Sequence, residues 1–145
     1  YIKGDEIGEH KDGDKIVKVI AGKFNKAEGP EKNHNVEPIY FHVILNEGKE
    51  FSCEVPSSHN SFIYLLKGEL KIGEKKHNKT TDSNLILLER GSILKVKAIK
   101  NSEFLFIAGK PIGEPIARGG PFVMNTKAEI LEAIKDYNNG TFAKY

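Results

Sequence analysis

The sequence predicts an all-β domain that ends in one helix. Three observations carry this. Apolar and polar residues alternate over short runs, as in Phe51, Cys53 and Val55 against Ser52 and Glu54. About eight such runs follow one another, divided by turns rich in Gly, Pro, Asn and Ser. Strand–helix alternation of the βαβ kind is absent, which excludes nucleotide-binding folds of Rossmann or P-loop type. The pattern is that of an antiparallel sandwich or barrel.

The elements follow in order. Residues 1–14, YIKGDEIGEHKDGD, are charged and Gly-containing and read as a linker or extended arm. Lys15–Ala21 is the first strand, and Gly22–Asn35 a polar loop. In Ile39–Leu45, Ile39, Phe41, Val43 and Leu45 share one face; Tyr40, His42 and Ile44 share the other. Phe51–Val55 is a half-buried strand. Phe62–Leu66 is apolar on both faces and therefore central. Gly68 marks a bend or bulge, after which Leu70 and Ile72 continue one face. Glu74–Asn84 is a polar loop. Leu85–Leu88, Ile93–Ala98 and Phe104–Ala108 complete the strands. Phe41, Phe51, Phe62, Phe104 and Phe106 are expected to fill the interior.

The helix announces itself by its cap. Thr126-Lys-Ala-Glu129 has the form of a capping box. Ile130, Ala133, Ile134 and Tyr137 recur at helical spacing, and Gly140 stands at the stop. The Pro- and Gly-bearing segment before it is not expected to form a regular strand. Its Ile112, Ile116, Phe122, Val123 and Met124 are too apolar for a free linker. Phe122, Val123 and Met124 are expected to insert into an apolar surface. The domain reading is residues 1–14 as linker or arm, 15–109 as the β-barrel, and 110–145 as extended apolar segment and helix.

The 145 residues suffice for one core. The net charge of +2 lacks the basic footprint of a nucleic-acid binder. No run approaches the roughly 18 apolar residues of a membrane span, and the first residues do not read as a secretory signal. The chain starts at Tyr1 and is expected to be a piece of a longer protein. A single cysteine, Cys53, excludes an internal disulfide and suits a reducing compartment such as the cytoplasm, or the nucleus in a eukaryote. It reads as a small buried hydrophobe.

Ala108–Pro115 (AGKPIGEP), followed by Gly120–Thr126 (GPFVMNT), resembles the C-terminal signature of the pirin family. Val17–Gly22 (VKVIAG) resembles the first strand of the pirin second domain. Asn60–Leu70 (NSFIYLLKGEL) resembles its strand pair around the cupin glycine, and Tyr1 the start of the interdomain linker. The resemblance spans essentially the whole chain. It implies a cupin-like (RmlC-like) antiparallel jelly-roll β-barrel with one C-terminal helix. It also implies that this is the second half of a bicupin, whose partner is the N-terminal cupin domain. The family's iron is expected in that first domain, held by three His and one Glu. Some pirins are quercetin dioxygenases, and animal members are nuclear co-regulators of transcription. One departure stands out: Arg118-Gly119 replaces the Gln-His pair many pirins carry before Gly-Pro-Phe, so any role of that His does not carry over.

A cupin metal site takes His-x-His-x-x-x-Glu and a later His, because alternate strand residues reach one ion together. Aligned on Gly68 and Gly91, those positions fall near Val55, Ser57, Ser61 and Ser102, none of them such a ligand. No catalytic residue, metal or cofactor is therefore expected in this chain. His59 and His42 are the candidates if the register is wrong, and their pairing is the one to check. His10, His34 and His77 read as solvated. Ser57, Ser58, His59 and Asn60 read as turn chemistry rather than nucleophile and base. Lys71, Lys75, Lys76, His77 and Lys79 read as a solvated hairpin; Glu50, Glu54, Glu129 and Glu132 as surface carboxylates or caps. The favoured function is a non-catalytic second cupin domain supporting an iron-bearing first half. The alternatives are a stand-alone cupin dioxygenase around His42 and His59, or a module that binds other proteins through a patch near Phe122–Met124.

Overall fold

The computed structural model describes residues 2–31, 35–73, 79–81 (backbone) and 83–143. Contacts divide the chain into two compact units, Tyr1–Pro111 and Ile112–Tyr145.

The first unit is built of strands. A 3-10 turn at Gly4–Glu6 leads into β1 (Gly8–Asp12), which pairs with β2 (Lys15–Ala21). The short hairpin β3 (Lys23–Phe24) and β4 (Ala27–Glu28) follows, then β5 (Ile39–Leu45) and β6 (Glu50–Glu54). Next come β7 (Asn60–Lys67), β8 (Glu69–Ile72), β9 (Lys79–Thr81), β10 (Asn84–Leu87), β11 (Ile93–Ala98) and β12 (Ser102–Gly109). One sheet has the order β1-β2-β5-β12-β7-β10, and the other β6-β11-β8-β9. Every pairing within them is antiparallel.

The two sheets share one core. Alternate residues of β2, β5 and β12 are buried: Val17 and Val19, Phe41 and Val43, Phe104 and Phe106. Phe51 of the smaller sheet meets Phe104 of the larger edge-on, with ring centroids 5.8 Å apart. Each such side chain contributes roughly 1.5–3 kcal/mol on burial. Phe62 departs from the expectation that it fills the interior. On β7 it shares the outer face with Tyr64, while Ile63 and Leu65 are fully buried.

The polar segments hold more structure than their composition promised. The segment read as a linker or extended arm contains a strand: β1 lies along β2 in register from Gly8↔Val19 to Asp12↔Lys15. The loop after β2 contributes Phe24, buried and stacked on Phe51 at 5.4 Å. A single aromatic between Lys23 and Asn25 leaves no periodicity to read. The glycine at the β7–β8 bend is required. Gly68 has φ +98°, and a Cβ there would collide with the Asn101 carbonyl and the Ser102 hydroxyl.

The second unit pairs a hairpin with the helix. β13 (Ala117–Gly119) and β14 (Phe122–Met124) are antiparallel, contrary to the expectation of no regular strand. The reason is where the breakers sit. Gly120 (φ +57°) and Pro121 form the two-residue loop itself, as in a type II′ hairpin, so the ladder loses no donor to the proline. Alternation then splits the expected apolar plug. Phe122 and Met124 are half-buried, but Val123 points outward and is exposed. Helix α1 (Lys127–Asn138) follows. The Glu129 amide donates to the Thr126 hydroxyl at 3.2 Å, and the Thr126 amide donates to the Glu129 carboxylate at 2.7 Å. Ile130 and Ala133 are buried; Ile134 and Tyr137, read as the same apolar face, are exposed. Phe122 packs against Tyr137 and Phe142, at centroid distances of 6.0 and 5.1 Å.

Candidate functional site

His59 ends the turn between β6 and β7, where its amide donates to the Pro56 carbonyl at 2.9 Å. Its side chain is only 2% exposed. Nε2 lies 2.9 Å from the Glu37 carbonyl and Nδ1 3.3 Å from the Ser58 hydroxyl. A carbonyl only accepts, so Nε2 carries the proton and Nδ1 accepts from Ser58. Both ring nitrogens are thus engaged. The imidazole ties the β6–β7 turn to Glu37, whose own backbone has φ +46°. It borders an open cleft of about 450 Å³ lined by Lys23, Glu28, Glu31, Glu37, Ile39 and Pro56.

His42 is placed differently. It sits on β5 beside Phe41 and Val43, so strand alternation turns it to the outer face. Its Nε2 meets the Glu103 carboxylate of β12 at 2.6 Å. The two histidines take separate partners and do not form the pairing that the sequence left to check.

The residues at the expected metal positions do not fit a cupin ion site. Val55 is apolar and buried, and Ser57 is exposed in the turn. Ser61 is on β7. Ser102 is buried, its hydroxyl donating to the Lys100 carbonyl at 2.7 Å and accepting from the Glu69 amide at 3.1 Å. That hydroxyl serves the β7–β8 bend beside Gly68. Among the described residues, no group of three His, Cys, Asp or Glu side chains is arranged to hold a metal ion.

Other side chains singled out from sequence take structural positions. Burial pushes the Cys53 thiol up to about 12, which keeps it protonated and a poor nucleophile. His10 is not simply solvated: it packs edge-on against Phe24 at 5.4 Å and lies 3.2 Å from the Asn25 amide. Ser58 bonds to His59, and Asn60 accepts from Arg90 at 3.5 Å. Lys71 borders an open cleft of about 350 Å³ with Glu50, Ser52, Lys95 and Lys97. Glu50 pairs with Lys97 at 3.5 Å. Hydrogen bonds from Thr126 hold the Glu129 carboxyl below the usual glutamate range. Tyr1, His34, Lys75, Lys76, His77 and the Lys79 side chain lie outside the described residues. No helix among the described residues is long and apolar enough to cross a membrane.

Residues 40–143 match the pirin C-terminal cupin domain family. The chain is 33% identical over 135 residues to a pirin-like protein of Caulobacter vibrioides, covering 92% of this chain and 48% of that protein. It is 34% identical over 142 residues to pirin of Rattus norvegicus, covering 95% and 48%. A crystal structure of quercetin 2,3-dioxygenase from Acinetobacter baumannii superposes with a TM-score of 0.85 at 31% identity, covering 99% of this chain and 50% of that one. The chain spans about half the length of the curated relatives it matches. This chain belongs to the pirin C-terminal cupin domain family.

Proposed function

We propose that this chain, as a pirin C-terminal cupin domain, is the non-catalytic second half of a two-domain protein and supports an iron-bearing first cupin domain. The observation that carries this is the state of the two histidines. His59 spends both nitrogens on Glu37 and Ser58, and His42 is turned outward onto Glu103. Neither is available to a shared ion inside the domain. The half-length match to the relatives supports the pairing with an N-terminal domain. In this reading the two antiparallel sheets are the walls of a jelly-roll barrel with its interior filled by Phe41, Phe51, Phe104 and Phe106. The exposed apolar side chains of the C-terminal unit, Val123 among them, are contact candidates for the first domain, with Phe122 and Met124 supporting the strand from behind. Work on flavonols or on transcription then belongs to the whole protein. A single cysteine suits a reducing compartment, the cytoplasm or, in a eukaryote, the nucleus.

Metal content per chain tests this. After incubation with ferrous iron and removal of excess, elemental analysis is expected to find iron far below one equivalent. Close to one equivalent, lost in His59→Ala or His42→Ala, would instead make this domain a metal site in its own right.

A further inference from the structure

The smaller sheet turns Phe51, Leu70, Ile72, Leu94 and Val96 into the core. Its outer face holds the residues between them, and the register sets these in rows. Glu50, Lys97 and Lys71 stand side by side across β6, β11 and β8. Ser52 and Lys95 form the next row. Gly73 completes it, its amide donating to the Lys95 carbonyl at 2.9 Å. The open cleft of about 350 Å³ is lined by both rows.

Three features mark this cleft. The first is charge. Lys71, Lys95 and Lys97 line it beside one carboxylate, Glu50, which pairs with Lys97 at 3.5 Å. The other acids of the face are set apart: Glu54 lies opposite Ile93, and Glu69 pairs with Lys100 at 3.3 Å. The second is strand pairing. Lys71 is the direct cross-strand neighbour of Lys97. Like charges so placed, with Cβ atoms about 4.5–5.5 Å apart, work against a sheet. The third is space. Gly73 has φ +65°, and a Cβ there would meet nothing within 4 Å. The row therefore leaves a gap beside Lys95 and Lys71.

We infer that this cleft binds a small, multiply charged oxyanion, the phosphate group of a soluble small molecule. Phosphate oxygens accept from the ammonium groups of Lys71, Lys95 and Lys97 and from the Ser52 hydroxyl. The bound charge offsets the repulsion between the facing lysines, so the ligand stabilises the sheet that holds it. The cleft has the size of a small-molecule site. Glu50 and Glu54 break the positive charge along β6, which disfavours a long polyanion. The site lies wholly on the smaller sheet and does not depend on the two-domain reading above.

The test titrates inorganic pyrophosphate into the whole chain by calorimetry, at low salt and at roughly 0.15 M salt. Thermal melts are recorded with and without it. The variants are Lys71→Gln/Lys97→Gln, Lys71→Gln alone, and a control at the exposed Lys110, Lys110→Gln. Melts without ligand establish that each is folded; the single variant serves if the double one is not. The expected result is saturable binding at one site per chain, still present at the higher salt, with a raised melting temperature. It should be at least tenfold weaker in the lysine variants and within twofold for the control. Equal binding by wild type and folded lysine variants puts the anion elsewhere and overturns the assignment. Heat that vanishes at the higher salt is general screening of surface charge and overturns it too. The absence of saturable binding by the wild-type chain does the same. A short DNA duplex that binds more tightly than pyrophosphate, and is lost in Lys71→Gln/Lys97→Gln, assigns the cleft to nucleic acid and overturns the occupant.

Discussion

The two units handle their apolar residues in opposite ways. In the first, Phe41, Phe51, Phe104 and Phe106 are buried between two sheets, with Val and Leu side chains closing around them. In the second, Ile130 and Ala133 are the buried residues among those described. Ile112, Ile116, Val123, Leu131 and Tyr137 are exposed within the same short stretch. The first unit makes its own core. The second is held by local devices: a two-residue hairpin loop, a capping box, an aromatic trio, and Asn125 donating to Glu114 and to the Pro115 carbonyl at 2.9 and 3.0 Å. The lesson is that similar apolar content gives different burial according to whether strand faces close on one another.

Three substitutions probe that contrast. Phe104→Ala empties the centre of the first unit, where the ring is fully buried. It is expected to cost about 3–5 kcal/mol in urea denaturation. A loss under about 1 kcal/mol would mean that the sheets do not share the core described.

Thr126→Ala is expected to cost about 1 kcal/mol, confined to α1. Amide hydrogen exchange should quicken in Lys127–Asn138 and stay unchanged in β5 and β12. The same cap has a pH dependence of defined sign. The carboxyl of Glu129 is held below its usual range in the folded chain. Its contribution is therefore whole above the unfolded value and is lost as pH falls through the depressed folded one. Helix protection should drop in that acid window for the wild type, and less so in Thr126→Ala, which loses the hydroxyl donor to Glu129 but keeps the backbone amide donors. Parallel loss in both units would show that they unfold as one.

The smallest effect is expected at Leu131, exposed on α1. Leu131→Ser should change stability by no more than about 0.5 kcal/mol. A cost above about 2 kcal/mol would mean the side chain is covered in solution, and the contrast between the units would narrow.

Much of this was legible in the residues. Lys15–Ala21 and Ile39–Leu45 are strands with the bounds their alternation implies. Thr126 and Glu129 make the capping box their spacing implies. What escaped notice lacked a periodic signal. β1 is charged on both sides because it is an edge strand, and the β13–β14 hairpin hides its strands behind the Gly and Pro of its own loop. The candidate site was legible only as a list of histidines. Their hydrogen-bond partners, Glu37 and Glu103, are 22 and 61 residues away in sequence, and nothing local links them.

The sequence by itself determined the family, the antiparallel class and the position of the helix, because these follow from local periodicity, turn chemistry and a short signature. The tertiary structure decided which side of each apolar strand is covered, and to what His42 and His59 are committed. Phe62 and Ile63 are both apolar neighbours on one strand. Only the packing of one sheet against the other puts Ile63 in the core and leaves Phe62 on the outside, since burial belongs to the pair of faces and not to the residue.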